Sequence, residues 1–188
     1  MKNKKKLIVI SGPSGVGKGA IIKSLLNNVK TLGLAVSATT RPQRAGELDG
    51  NDYYFYSQAN FDEAVKNGAF IEWCHVHGNR YGTLKAEIDR LNNLSKIGLV
   101  EIDTEGANKI KQSFPEALRI FIAPPTLAIL EERLKKRKTE SWEEIEKRVN
   151  HAKVELNEIE HYDYVIINDT ILDSSKEIEK IIKKSFNL

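Results

Sequence analysis

Glycines in a fixed rhythm beside a lysine carry the clearest chemistry in this sequence. The run Gly12-Pro13-Ser14-Gly15-Val16-Gly17-Lys18 follows four apolar residues, Leu7 to Ile10, and precedes a helix-competent segment from Ala20. A buried strand, a glycine-rich turn, a lysine and a helix are the parts of a phosphate-binding loop. Glycine lets the backbone turn tightly and aim several N–H groups at one point, making an anion nest. The helix N-terminus adds its partial positive charge there, and Lys18 adds a full one. A plain glycine turn between strand and helix is the alternative. The residue after such a lysine usually carries a hydroxyl that ligates magnesium. Here Gly19 and then Ala20 stand at that point, and neither has one.

A second set of groups lies between residues 37 and 103. Arg41 and Arg44 share a polar loop, and a guanidinium fork suits phosphate because it donates to two oxygens at once. Tyr53 and Tyr81 have hydroxyls for the same anion. Glu72 sits in an apolar frame, Phe70-Ile71-Glu72-Trp73, where a buried carboxylate needs a partner; an edge-strand Glu facing water is the alternative. Asp103 closes an apolar strand, as the metal-site acid of a P-loop nucleotidase does. It is also placed to cap the following helix; the metal role is favoured. Arg133, Arg137 and Arg148 lie among lysines, either as a solvated charged face or as a lid over transferring phosphates. His75 and His77 alternate as a metal pair would, but no third ligand accompanies them. Cys74 reads as a lone packed thiol rather than a nucleophile.

The elements that must position these groups alternate. Strands are expected at Leu7–Ile10, Leu34–Ser37, Gly98–Asp103, Arg119–Ala123 and Tyr164–Ile167. Helices are expected over Ala20–Val29, Leu84–Ser95, Gly106–Gln112, from Thr126 through Leu134, Glu140–Glu160 and Ser174–Phe186. That order predicts an α/β protein with a parallel sheet covered on both faces. Residues 37–88 break the rhythm, with short aromatic strands at Tyr53–Tyr56 and Phe70–Trp73, a small helix over Asn60–Asn67 and a turn at Tyr81–Thr83. They read as a small mixed sheet inserted into the core, overhanging the carboxyl edge where such sheets bind ligands.

The chain has 188 residues, is 40% apolar and 29% charged, and has a net charge of +3, which is too small to argue for nucleic acid. One cysteine excludes an internal disulfide framework and suits a reducing cytosol. The basic start, Met1 to Lys6, reads as a solvated tail, because the apolar run after it is shorter than the roughly 7–15 residues of a secretory signal. No stretch approaches the roughly 20 apolar residues of a membrane span.

Taken together, the segments GPSGVGKG at 12–19, VSATTRPQRAGE at 36–47, DGNDYYF at 49–55, FIEW at 70–73, GNRYGT at 78–83, VEIDTEG at 100–106, IFIAPP at 120–125 and YVIIND at 164–169 closely resemble the guanylate kinase family. The resemblance implies a P-loop NTPase three-layer core in three parts (1–36, 89–126 and 149–188), a small mixed α+β GMP-binding insertion (37–88) and a helical lid (127–148). It implies transfer of the ATP γ-phosphoryl group to GMP with Mg²⁺, in a cytoplasmic enzyme of purine nucleotide metabolism and GMP recycling. The partners are ATP and GMP, with dGMP open as a second acceptor; neither nucleic acid nor membrane is among them, and monomer and homodimer both stay open. Matched positions assign Gly12 to Ala20, Arg133, Arg137 and Asn168 to ATP. They assign Ser37, Arg41, Arg44, Tyr53, Glu72, Tyr81, Thr83, Glu101 and Asp103 to GMP. Lys18, Arg41, Arg137, Arg148 and Asp103 take the catalytic positions. Magnesium would come on the nucleotide with water in place of the missing hydroxyl, Asp103 being the one protein ligand considered. Lys138, where the family often has Gly, is a lesser departure that would stiffen the lid. A guanylate-kinase-like module that binds phosphorylated peptides, and a kinase for another nucleoside monophosphate, are the rival readings.

Overall fold

The computed structural model describes residues 6–76, 78–136 and 141–188, the side chain of Val76 excepted. The tail at Met1–Lys5, His77, Arg137 and Lys138 therefore lie outside the described residues. In chain order the elements are β1 (Leu7–Ser11), α1 (Lys18–Asn28), β2 (Leu32–Leu34), β3 (Ser37–Thr39), β4 (Tyr54–Phe55), α2 (Gln58–Lys66), β5 (Phe70–Val76), β6 (Asn79–Leu84), α3 (Lys85–Asn93), β7 (Ile97–Glu101), α4 (Thr104–Ser113), β8 (Leu118–Ala123), α5 (Leu127–Lys136), α6 (Trp142–Glu155), β9 (Tyr164–Ile167) and α7 (Ile171–Phe186). A 3₁₀ helix, Leu156–His161, separates α6 from β9.

The main sheet has five strands in the order β2-β7-β1-β8-β9, and its β2/β7, β1/β8 and β8/β9 pairs are parallel. All five residues of β1 are buried, as the continuous apolar run requires of a strand covered on both faces. The expected strand at Leu34–Ser37 is two strands: β2 ends at Leu34 and β3 begins at Ser37. The expected turn at Tyr81–Thr83 is the middle of β6. The long helix expected to Glu160 stops at Glu155 and tightens into the 3₁₀ helix. The C-terminal helix starts at Ile171, three residues ahead of the expected start at Ser174, because Thr170 caps it by accepting the Asp173 N–H.

The chain forms two compact units. One comprises Met1–Leu7, Thr31–Val100 and Asn108–Ala117; the other comprises Ile8–Lys30, Glu101–Ala107 and Leu118–Leu188. Within the first, a four-stranded sheet runs β4-β3-β6-β5, with β3/β4 parallel and the other two pairs antiparallel. Its core is Ala38, Phe61, Phe70 and Leu84, with Trp73 and Tyr54 packed alongside. Phe61 stacks on Phe70 at 4.5 Å between ring centres. Arg80 is buried over the Phe61 ring and pairs with Asp62 and Gln58, tying β6 to α2. This arginine is structural.

Glu87 of α3 is the electrostatic tie of the same unit. Its carboxylate accepts the Val36 N–H (3.0 Å), the Tyr54 hydroxyl (2.9 Å) and two Arg90 N–H groups (2.8 and 2.9 Å) while only 3% exposed. Burial pushes its pKa up, but the bonds from Arg90, Val36 and Tyr54 together outweigh it, and the net direction is down.

In the second unit, Gly12 (φ +142°) lies so close to β8 that a Cβ would sit 2.2 Å from the Ile122 carbonyl oxygen. Backbone cannot yield there as a flexible side chain can. Gly19, inside the first turn of α1, has open space where its Cβ would be.

Two outcomes follow for stability. Glu87→Gln loses the charged acceptor and is expected to cost about 1.5–3 kcal/mol by urea unfolding at neutral pH. Because the folded carboxyl pKa is depressed, its stabilisation is present above the ordinary value of about 4.3 and is lost as pH falls through the folded value, so the gap from the unsubstituted protein closes in acid. Gly12→Ala should cost about 3 kcal/mol or more, whereas Gly19→Ala should stabilise by about 0.5–1 kcal/mol, both read from thermal unfolding.

Candidate active site

The second unit holds the phosphate-binding loop. Gly15 and Gly17 join Gly12 in the positive-φ region, with φ of 87° and 103°. Gly17 is the N-cap of α1 and has no side chain to cap it, and no acid stands in the helix's first turn. The orphan N–H groups and the positive end of the dipole are thus left to an anion. Lys18 folds back over the loop, its Nζ donating to the Gly12 and Pro13 carbonyls at 2.5 and 3.1 Å. A Cβ on Gly17 would meet Asn168 Nδ2 at 2.7 Å, so glycine also makes room for that contact.

Asn168 is buried (1% exposed); its Nδ2 donates to the Val16 carbonyl (2.7 Å) and its Oδ1 accepts the Ser174 hydroxyl (3.0 Å). The residue expected beside adenine is therefore first a tie between the loop after β9 and the phosphate loop. Arg133 of α5 bonds the carbonyls of Val16, Asn168 and Asp169. Gly15, Val16, Gly17, Arg133, Asn168, Asp169 and Ile171 line an open cavity of ≈ 290 Å³. Arg148 Nη1 donates to the Ser14 hydroxyl at 2.9 Å from α6, whose start is set by a capping box between Ser141 and Glu144. Arg137, assigned with these arginines, lies outside the described residues.

Asp103 lies two residues past the end of β7, and its Oδ1 accepts the Gly106 N–H at 2.8 Å. It caps α4, the role the sequence reading ranked second. Glu101, at the exposed end of β7, has its carboxyl pushed up by surrounding protein, with Lys18 partly offsetting this. Gly19 and Ala20 are exposed. Sequence reasoning passed over a buried group here. Glu155 of α6 is 4% exposed, and burial raises its pKa against the pull of His151 and Lys18. Near it in sequence, burial pushes the Tyr162 hydroxyl up to about 12, partly offset by Ser11. Only the polar letters inside an otherwise amphipathic pattern hinted at these.

The first unit gathers the other set. Register places Ser37 of β3 opposite Thr83 of β6, and Thr83 opposite Glu72 of β5, so the three stand in one row. One step along, Thr39 faces Tyr81 and Tyr81 faces Cys74. A bulge in β5 makes this row. Phe70 pairs with Leu84 while Glu72 pairs with Thr83, so the extra residue puts Phe70 in the helix-packed core and Glu72 on the opposite face. Gly82 completes the device, since a Cβ there would meet Phe70 Cδ1 at 2.7 Å and Trp73 Cβ at 2.9 Å. Glu72 is 4% exposed, and its Oε1 accepts the Thr83 N–H at 2.9 Å. The water-facing alternative for Glu72 is thereby excluded.

Arg41 lies with its Cζ 5.3 Å from the Tyr53 ring centre and 5.6 Å from that of Phe55. Tyr53 meets Tyr81 edge to face at 6.0 Å. The guanidinium is forked onto Glu47 (2.8 and 3.0 Å). The side chain of Arg44 is exposed, and its backbone N–H bonds Glu47 as well. Glu47 stands in the quoted loop motif, yet no spacing rule marked it. Among the described residues no group of three or more His, Cys, Asp or Glu forms a metal cluster, and His77 lies outside them. Cys74 is buried and in no disulfide, as expected. No helix among the described residues is long and apolar enough to cross a membrane.

Comparison with known proteins meets this geometry from another side. The family model described as Guanylate kinase matches residues 4–185. The guanylate kinase of Caldanaerobacter subterraneus subsp. tengcongensis is 48% identical, over 96% of this chain and 86% of that one. That of Prochlorococcus marinus strain MIT 9312 is 43% identical over 97% of this chain and all of its own. The crystal structure of guanylate kinase from Anaplasma phagocytophilum superposes with a TM-score of 0.76 at 31% identity, over 98% of this chain and 88% of that one. A strand–loop–helix anion nest, a guanidinium among tyrosines and a buried, oriented carboxylate thus occur in a chain that is similar from end to end to these kinases, and this chain belongs to the guanylate kinase family.

Proposed function

We propose that this kinase moves the γ-phosphoryl group of ATP to GMP, giving ADP and GDP, with the nucleotides divided between the two sets of residues described above. The observation that carries the base assignment is the row Ser37–Thr83–Glu72, with its carboxylate buried and oriented by a backbone N–H. Guanine offers N1–H and N2–H₂ donors beside the O6 acceptor. A carboxylate takes the donors and hydroxyls serve the acceptor. Adenine reverses that edge and would leave Glu72 desolvated against the wrong groups, and sites of this kind reject a mismatched partner by roughly 10⁴ or more.

Arg41, Arg44, Tyr53 and Tyr81 would hold the GMP phosphate, while Glu101 and Asp103 stay in the acceptor assignment on the resemblance alone. The loop from Gly12 to Ala20 with Lys18 would cradle the ATP phosphates. The Arg133–Asn168 cavity is the place for adenine. Arg148 already reaches the loop through Ser14 and is suited to meet charge as it develops on the transferred group. Arg137 stays in this assignment on the resemblance alone. The reaction is an in-line displacement in which a GMP phosphate oxygen forms the new P–O bond and the ADP oxygen leaves with its electron pair. Repulsion between two anions is the first obstacle, so positioning and cationic screening supply most of the rate enhancement.

Magnesium fits the donors present in part. Glu101 and Asp103 offer hard carboxylate oxygens in the same unit as the loop, and Gly19 and Ala20 offer none, so phosphate oxygens and water would fill most of its shell. When bound it screens charge on the β- and γ-phosphate oxygens. A cytoplasmic place in purine nucleotide metabolism and GMP recycling goes with this reading. The phosphopeptide-module alternative draws no support from the relatives named above, all of them kinases.

A coupled assay of ADP production with GMP, AMP, UMP and CMP tests the assignment. GMP should be preferred by several orders of magnitude. Glu72→Gln should lower kcat/KM for GMP by about 100-fold and cut the GMP-to-AMP ratio at least tenfold, because one charged acceptor becomes a donor. An unchanged ratio would remove Glu72 from base reading.

A further inference from the structure

The Arg41 guanidinium has five N–H donors. Nη1 donates to the Pro42 carbonyl (2.7 Å) and to Glu47 Oε2 (3.0 Å), and Nη2 donates to Glu47 Oε1 (2.8 Å). Glu47 therefore grips the guanidinium end-on, across its two terminal nitrogens. The side edge, made by Nε–H and the second Nη2–H, is left for an incoming ligand, with the Tyr81 hydroxyl nearby. Glu47 also closes the loop on itself. Its Oε2 accepts the Arg44 N–H (2.8 Å), its N–H donates to the Arg44 carbonyl (3.2 Å) and its carbonyl accepts Gln43 Nε2 (2.5 Å). One acidic residue thus orders the whole segment that carries both phosphate-side arginines.

We propose that Glu47 is a positioning residue for the acceptor phosphate. It clamps Arg41 end-on over the Tyr53 and Phe55 rings, so that the side edge of the guanidinium stands ready for the phosphate, and it keeps that grip while the phosphate binds. This rests on the reading of Arg41 as a phosphate ligand. Side-on and end-on forks are distinct faces of one planar group, so phosphate has no need to displace Glu47. An unclamped arginine would have to lose its rotamer freedom on binding; here folding has already fixed it. The Arg41 bonds, and after them the Arg44 N–H, hold the Glu47 carboxyl below the ordinary carboxylate range, so the clamp is charged throughout the neutral range. The opposite device, a carboxylate that mimics the phosphate and must leave before GMP enters, would use the same contacts with the opposite sign.

The test compares Glu47→Ala, Glu47→Gln and Arg41→Ala with the unsubstituted enzyme. The readouts are KM for GMP, KM for ATP and kcat from the coupled assay, and calorimetric affinities for GMP and for guanosine, which has no phosphate. The clamp predicts that Glu47→Ala raises the GMP KM about tenfold or more, while Glu47→Gln, which keeps one neutral acceptor, recovers part of that loss. The ATP KM and the guanosine affinity should stay within about twofold, because the loop acts only through the phosphate. A lower GMP KM in Glu47→Ala overturns the proposal in favour of a displaced mimic. An unchanged GMP KM makes Glu47 a bystander and also overturns it. An equal loss of guanosine affinity shows general damage to the unit and overturns it too. If Arg41→Ala itself leaves the GMP KM unchanged, the assignment of Arg41 to the phosphate has failed, which separates that error from one in the role of Glu47.

Discussion

A site made of cations has to hold itself together before its anions arrive. In this molecule the constraint is met at Lys18, Arg133, Arg148 and Arg41 by an oxygen of the protein's own. Lys18 rests on the carbonyls of Gly12 and Pro13, Arg133 on those of Val16, Asn168 and Asp169, and Arg148 on the Ser14 hydroxyl. The oxygens so bonded are neutral, although Lys18 also acts on the Glu101 and Glu155 carboxyls and Arg148 on that of Glu144. A bond from a cation to a neutral oxygen is weaker than one to a phosphate, so such a cation turns readily to the stronger partner. Arg41 rests instead on a full carboxylate, Glu47, and is stacked on two rings besides.

The fold exists to set those oxygens at the right height. A buried strand must end abruptly for its carbonyls and the next N–H groups to turn inward, and β1 does so because Gly12 can lie against the Ile122 carbonyl where no side chain fits. The four-stranded sheet solves a different problem. Its edge strand β5 must show apolar groups to α2 on one face and polar ones on the other, yet Phe70 and Glu72 are two apart and would share a face in a regular strand. One extra residue at the bulge separates them. Burial of Phe70 in the core and orientation of Glu72 by the Thr83 N–H are thus consequences of the same irregularity.

The phosphate loop was legible because its signal is local: strand, glycines, lysine and helix lie within one short segment. The alternation of apolar runs gave the parallel sheet for the same reason, and Arg41, Tyr53 and Tyr81 were recognisable as a group through the family resemblance. What stayed hidden depends on partners distant in sequence. Tyr81-Gly82-Thr83 sets a glycine between two polar residues and reads as a turn; only pairing with β3 and β5 makes it part of a strand. Leu34 to Ser37 is apolar enough to look continuous, but the chain leaves one sheet and enters another there, and the Val36 N–H goes to Glu87 instead of a strand. Asp103 looks alike as a cap and as a metal-site acid, and the Gly106 N–H on its Oδ1 shows the first role without bearing on the second. Glu47 had no periodicity to reveal it, since its importance is that of a loop closing on itself.

The most direct test of the account is calorimetric titration of ATP and of adenosine into the unsubstituted protein and into Lys18→Met, without GMP. If the loop and its lysine are the donor-phosphate site, the substitution weakens ATP at least about tenfold and leaves adenosine unchanged. Equal affinity of both proteins for ATP would contradict it.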